Sequence, residues 1–297
     1  MHTLTTILAP TDFSAPSRHA AERAARLARE HGARLHLIHV VHAGALDRLR
    51  GLLGTDVAVE AELILDANRQ LEALAADLHD ERGPEIETSL RNGSVLTEVG
   101  AQGDAIAADL VVLGARGAGF VRRIALGTTA ERLLRTTMRP LLVVKQKAHE
   151  RYRRVLVPVD FSPSSAQALA LARRVAPDAH LVLLHAYEVP FESRMQLAGV
   201  DSQRIEQYRA QARQLAHRRL HETAAAAGLG PGDWQPCLVM QDASLAIVEQ
   251  EQETDCDLIV IGKQGQGVVV DFLLGSVTKH VLAESAGDVL VSTARDT

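Results

Sequence analysis

Aromatic side chains make up only 3% of this 297-residue chain. So few rings leave little to stack nucleobases on, which argues against single-stranded nucleic-acid binding. Leu, Val, Ile and Ala must fill the cores instead. Cysteine is scarcer still, with Cys237 and Cys256 both in the second half. Two thiols form no disulfide framework and suit a reducing compartment. A redox pair and two incidental buried thiols are both open readings. A basic excess is also missing. Residues 1–148 carry 18 basic and 18 acidic side chains, residues 149–297 carry 14 and 19, and the net charge is −5. Neither half has the profile of a surface that tracks a phosphate backbone. No apolar run is long enough to span a bilayer. The opening MHTLTTILAPTDFS lacks the basic region and apolar stretch of a secretory signal. The expectation is a cytoplasmic protein with neither nucleic acid nor membrane as partner.

The chain does contain a repeat of itself, and that decides the architecture. ILAPTDFS at 7–14 returns as VLVPVDFS at 155–162, ADLVVLGARGAG at 108–119 as CDLIVIGKQGQG at 256–267, and LGTT at 126–129 as LGSV at 274–277. All three recur at an offset of 148 residues. LHLIHVV at 35–41 answers LVLLHAY at 181–187 at an offset of 146. Two domains follow, 1–148 and 149–297, joined by a short polar stretch near 146–152.

Within each copy, short apolar runs of strand type alternate with helical patterns. Strands are expected near 5–9, 34–40, 85–90, 109–113 and 140–144, then near 153–159, 180–185, 235–239, 257–261 and 288–292. Helices are expected near 15–30, 57–80, 95–107 and 128–137, then near 163–175, 201–227, 243–254 and 276–285. Apolar strands alternating with helices imply a parallel sheet covered on both faces. The fold class is therefore α/β, with two consecutive doubly wound five-stranded parallel-sheet domains.

Ligands of such sheets bind beyond the carboxyl ends of the strands. There the first strands end in Pro10-Thr11-Asp12-Phe13-Ser14 and Pro158-Val159-Asp160-Phe161-Ser162. Ser162 before Pro163 reads as a helix N-cap with proline in the first turn, and Ser14 with Pro16 as a looser version. Asp12 and Asp160 either support that turn or bond a ligand amine or hydroxyl, or stand in the outer shell of a metal. The fourth strands end in Gly114-Ala-Arg-Gly117 and Gly262-Lys-Gln-Gly265. Nine residues later come Gly127-Thr128 and Gly275-Ser276. A glycine loop lets backbone N–H groups approach phosphate, and the helix start that follows favours an anion. A tight structural turn is the plainer alternative, but two copies with identical spacing strengthen the anion reading. No G-x-x-x-x-G-K-[ST], no dinucleotide G-x-G-x-x-G and no G-x-S-x-G elbow is present.

On these residues the chain resembles a tandem universal stress protein of the ATP-binding branch. The family pattern G-x2-G-x9-G-[S/T] is met by Gly114, Gly117, Gly127 and Thr128, and by Gly262, Gly265, Gly275 and Ser276. The opening [VI]-L-[VA]-P-x-D-F-S is met in both copies and includes Pro10 and Pro158. The resemblance covers nearly the whole chain and implies the strand order 3-2-1-4-5. It also implies Asp12 and Asp160 near ribose and adenine, the backbone of Val40 or Ala186 at the base, and the glycine loops with Thr128 or Ser276 on the phosphates. Thr129 departs from the apolar residue more usual there, which is Val277 in the second copy; the contact expected at either is backbone N–H.

His36, His39 and His42 recur at three-residue spacing, but on a strand 36 and 39 face opposite ways and cannot share one metal. His39 and His185 occupy matching strand ends and read as packed, hydrogen-bonded histidines. The loops differ in charge: Arg116, Arg122 and Arg123 in the first, Lys263 and Asp271 in the second. The arginines either face solvent or neutralise a triphosphate. The apolar insert of the second loop could equally pack against a partner.

The expected function is a cytosolic, nucleotide-responsive regulator of the stress response holding ATP, with or without Mg2+, rather than a turnover enzyme. No paired acid/base constellation repeats in both copies beyond one aspartate each. A slow ATPase or nucleotidyl transferase is the alternative. Strands 140–144 and 288–292, last in their domains, are apolar sheet edges expected to lie side by side about a pseudo-two-fold axis. Whole chains are expected to form a homodimer, and a further protein partner is open.

Overall fold

The computed structural model describes residues 3–42, 57–79, 83–115, 126–265 and 274–293. The first repeat runs β1 (Thr6–Pro10), α1 (Ala15–His31), β2 (Arg34–His42), α2 (Val57–Leu78), β3 (Ile86–Gly93), α3 (Val95–Ala105), β4 (Leu110–Gly114), α4 (Thr128–Thr136), β5 (Leu141–Val144). The second runs β6 (Arg154–Pro158), α5 (Pro163–Val175), β7 (His180–Ala186), α6 (Glu192–Leu197), α7 (Ser202–Ala226), β8 (Trp234–Val239), α8 (Ala243–Glu253), β9 (Leu258–Gly262), α9 (Ser276–Glu284), β10 (Asp288–Ser292). Every expected element is present, with ends within three residues of the expectation. The short α6 was not expected. It buries none of its residues, so it has no apolar face for a periodicity to reveal.

The chain divides into two compact units. One runs to Arg151 and takes in the chain from Ala286; the other is Tyr152–Ser285. In the first, β3, β2, β1, β4 and β5 pair in parallel in that order, which is the expected 3-2-1-4-5. In the second, β8, β7, β6 and β9 pair in parallel, giving the same 3-2-1-4 sequence. The last strand of the chain, β10, pairs antiparallel with β5, with Leu290 opposite Leu142. The two final strands therefore do lie side by side.

The strands form because both their faces are covered. Ile7, Leu8, Leu35, Leu37, Leu110 and Val112 are all inaccessible to solvent in the first unit, as are Val155, Leu156, Val182, Leu183, Leu258 and Ile259 in the second. Each such side chain contributes roughly 1.5–3 kcal/mol on burial. The helix that follows each first strand starts at a serine cap. Ser14 Oγ accepts from Ser17 N at 3.4 Å and Ser162 Oγ from Ser165 N at 3.3 Å, each with proline in the first turn. These caps fix where the chain turns at the carboxyl end of the sheet.

Candidate functional site

The turn after β1 and its copy after β6 have the same internal wiring. Asp12 Oδ1 accepts from Ser14 N at 3.1 Å and from Ser14 Oγ at 2.5 Å. Asp160 Oδ1 accepts from Ser162 N at 3.0 Å and Ser162 Oγ at 2.5 Å. Both aspartates are thus turn supports, with Oδ1 committed to the cap serine. The residue between them is strained: Phe13 has φ +63° and Phe161 φ +64°. Such a conformation in a bulky residue costs on the order of 1–3 kcal/mol and persists only where surroundings hold it. Here a histidine does so. The Phe13 and His39 rings stack at 4.4 Å, and the Phe161 and His185 rings meet at 4.3 Å. Each histidine donates from Nδ1 to the strand-end carbonyl, His39 to Thr11 O at 2.8 Å and His185 to Val159 O at 2.7 Å. Burial holds His185 below the usual imidazole range, and the Arg219 guanidinium, 4.1 Å over the Phe161 ring, pushes the same way.

The first glycine of each loop has a packing reason. A Cβ on Gly114 would stand 2.7 Å from the Pro16 carbonyl oxygen, so β4 can meet the first turn of α1 only without a side chain. At Gly262 the nearest atom would be Ser164 Cβ, at 3.0 Å. Gly265 faces the other way: its Cβ would lie 3.1 Å from Asp160 Oδ2. Gly127 N donates to Ala115 O at 2.8 Å and Gly275 N to Lys263 O at 3.0 Å, so backbone bonds close the two halves of each glycine motif together.

That closure aims a helix start at the turn. Gly127 and Gly275 are the N-caps of α4 and α9, and neither helix has a side-chain cap. The first N–H groups of each helix are therefore left to a ligand or to water, at the positive end of the helix dipole. α1 and α5 by contrast are closed by their serines.

Each arrangement borders a cleft, of about 440 Å³ in the first unit and about 280 Å³ in the second. The first brings together Pro10, Asp12, Val40, Gly114, Gly127, Thr128 and Thr129. The second brings together Pro158, Asp160, Ala186, Gly262, Gly265, Gly275, Ser276 and Val277. Lys263 is buried and does not line the second cleft. Arg116, Gly117, Arg122, Arg123 and Asp271 lie outside the described residues. Sequence reading missed part of each wall. Thr11, Ser17, Val95 and Val99 line the first cleft; Ser165, Gln264, Ala243, Ile247 and Thr278 line the second. Val95, Val99, Ala243 and Ile247 come from α3 and α8, where small apolar residues look like ordinary core.

His36 and His39 have separate partners. His36 bonds Glu87, Ser89 and Gln102, and His39 bonds Thr11. Among the described residues no group of three or more His, Cys, Asp or Glu is placed to hold a metal ion, and no helix is long and apolar enough to cross a membrane. Cys237 and Cys256 are free. Burial raises both thiols, Cys256 to about 11, which leaves them protonated and unreactive at neutral pH.

Comparison with known proteins bears on both repeats. The pattern of the Universal stress protein family matches residues 3–145 and again 151–293. A universal stress protein of Mycolicibacterium smegmatis is 28% identical over 308 residues, spanning 97% of this chain and 97% of the relative. One from Methanocaldococcus jannaschii is 30% identical over 144 residues, 48% of this chain and 84% of its own length. The crystal structure of a universal stress protein from Archaeoglobus fulgidus has the same fold, with a TM-score of 0.66 at 21% identity, covering 96% of this chain and 97% of that one.

Proposed function

We propose, starting from the fact that this chain belongs to the universal stress protein family, that each cleft holds an adenine nucleotide, ATP foremost. The chain then acts as a nucleotide-responsive regulator of the stress response. One observation carries this reading: in both repeats an uncapped helix start opens, beside a backbone-closed glycine motif, into a cleft at the carboxyl end of a parallel sheet. Free N–H groups and the helix dipole favour an anion there, and the apolar wall opposite suits a base. Thr128 and Ser276 add hydroxyls at the same helix starts. Mg2+, if it accompanies ATP, would be held mainly by the phosphates.

Regulation is favoured over turnover because, among the described residues, the one carboxylate lining each cleft has its Oδ1 tied into the turn. A general base needs a proton to take and room to take it. The direct test is mass spectrometry of small molecules released on denaturing protein purified without added nucleotide, followed by calorimetry with ATP, ADP and AMP. An adenine nucleotide released, or bound with micromolar affinity, is the expected result. No release and no heat with any of the three would overturn the reading. Single-turnover hydrolysis of labelled ATP with Mg2+ separates regulator from enzyme, and turnover above about one per minute favours the enzyme. Gly265→Val should abolish binding in the second cleft and spare the first, because the added side chain presses on Asp160 Oδ2.

A further inference from the structure

In the first unit a polar network runs from the exposed Glu87 and Arg91 to the buried His36 and Gln102, and among the described residues the second unit has no counterpart of it. His36, on β2, is 6% exposed. Its Nδ1 lies 3.2 Å from Glu87 Oε2, its Nε2 2.7 Å from Ser89 Oγ and 3.1 Å from Gln102 Nε2. Arg91 Nη2 in turn donates to Gln102 Oε1 at 3.0 Å. A carboxylate only accepts, so the ring proton sits on Nδ1, and the single lone pair of Nε2 is shared between the serine hydroxyl and the glutamine amide. With a neutral imidazole, each of these contacts sets a donor against an acceptor.

A second proton on the ring breaks that match. Nε2 then carries an N–H that meets the amide of Gln102 donor to donor. Turning Gln102 over would offer Oε1 to the ring but set its amide against the Arg91 guanidinium. Ser89 can reverse its hydroxyl; Gln102 has no such freedom. Gln102 is buried on α3, one turn after Val99, and Val95 and Val99 form a wall of the first cleft. The strand register puts Val182 opposite Gln235 and Leu184 opposite Cys237, matching His36 opposite Glu87 and Ile38 opposite Ser89. At the places of His36 and Ser89 the second unit thus has Val182 and Cys237. Gln250 there accepts from the Cys237 thiol at 3.1 Å and turns its amide to Glu253.

We propose that His36 is a positioning residue for the first cleft, and that its protonation shifts α3 through Gln102 and weakens nucleotide binding there. This rests on the nucleotide reading of that cleft. The charged groups that face the ring are Arg34 on its own strand and Glu87 and Arg91 on β3; α3 presents the uncharged Gln102, and β1 presents Leu8 in register. Burial holds His36 below the usual imidazole range, Arg91 and Arg34 act in the same direction, and Glu87 opposes them. The neutral ring therefore prevails above about pH 6.5, and tight binding is lost as pH falls through the lowered value.

The test is NMR of the full chain titrated with ATP between about pH 7.5 and about pH 5.5. Amides of Val95 and Val99 report the first cleft, those of Ala243 and Ile247 the second, and the imidazole signal reports His36. First-cleft affinity should fall with His36 titration by at most about tenfold per pH unit, since one proton is involved. His36→Gln supplies one donor and one acceptor and never charges. It should match the wild type at the upper pH and stay flat in the first cleft, with the second cleft unchanged from wild type at every pH. A flat wild-type affinity while His36 titrates, or a fall that survives in His36→Gln, overturns the proposal. Amide exchange at Gln102 in the wild type decides it if the variant does not fold. Exchange that accelerates as His36 gains its proton supports the switch, and constant exchange sinks it. If ATP binds neither cleft at any pH, the nucleotide reading fails, and the same exchange measurement still decides whether His36 moves α3.

Discussion

Where the first cleft has Thr11 and Ala130, the second has Val159 and Thr278. In the first, Thr11 Oγ1 lies 3.1 Å from Ser17 Oγ and accepts from Phe13 N at 3.1 Å, so the turn is fastened from within. In the second, Val159 can do neither. Thr278 reaches across from α9 instead, donating to Gly262 O at 2.9 Å. The hydroxyl has moved from the turn to the helix facing it, and the backbone geometry has stayed. Thr278 for Ala130 and Ile247 for Val99 add side-chain volume to the second cleft, while Ala243 for Val95 and Ala186 for Val40 remove it. The two repeats show that the backbone at the cleft tolerates different fastenings, whereas the capped aspartate turn and the glycine closure occur in both.

The largest expected difference between the repeats lies at their first glycines. Gly114→Ala forces a methyl against the Pro16 backbone and should cost about 3 kcal/mol, whereas Gly262→Ala meets the Ser164 side chain first and should cost about 1 kcal/mol. Urea unfolding of the full chain, with hydrogen exchange to locate the loss, measures both. Equal costs would mean the close approach at Gly114 is not what requires glycine.

Next in size is nucleotide affinity. One arginine of the first loop engaged on a phosphate would bind ATP about tenfold tighter, and the advantage should shrink with salt and for AMP. Calorimetry on Gly265→Val, with and without Arg116→Ala, reads this in the first cleft alone. An unchanged affinity on losing Arg116 would remove loop charge as the source of any inequality.

Thr278→Ala gives the second cleft the residue of the first. It should lower stability by about 1 kcal/mol, since the Gly262 carbonyl loses its donor. A neutral result would show that water replaces the hydroxyl without loss. The smallest effect concerns His185. Its lowered folded value makes it stabilising above about pH 6.5, a contribution lost as pH falls through the folded value. Arg219→Ala removes one of the two causes and should move the His185 titration upward while burial keeps it below normal. An NMR titration that does not move would show that solvent already screens the guanidinium.

Much of this was legible from residues alone. The aspartate turns and the glycine-to-hydroxyl spacing marked one side of each cleft, because those features depend on local backbone geometry that the sequence spells out. The walls from α3 and α8 were not legible. Val99 and Ile247 differ from core residues only in that their helices pack at the carboxyl end of the sheet, and nothing in an apolar periodicity says which end a helix will cover. The strained Phe13 and Phe161 were hidden for a similar reason, since their conformation is held by a histidine 26 and 24 residues away in sequence.

What the sequence by itself determined is the repeat, the α/β alternation, and the two glycine-led helix starts, all of which follow from pattern and spacing within short windows. Only the tertiary structure decided what holds the last strand. Arg23, on the otherwise alanine-rich face of α1, lies 3.3 Å from Asp288 Oδ2 with both side chains buried. Asp288 Oδ1 accepts from Lys145 N at 2.8 Å, at the end of β5. These residues are 265 positions apart or 143, and neither has a counterpart of its kind in the other repeat, where Leu171 and Pro140 stand. A buried charge is tolerable only beside its partner, and which charges become partners is settled when β10 pairs antiparallel with β5, a long-range contact that no local preference encodes.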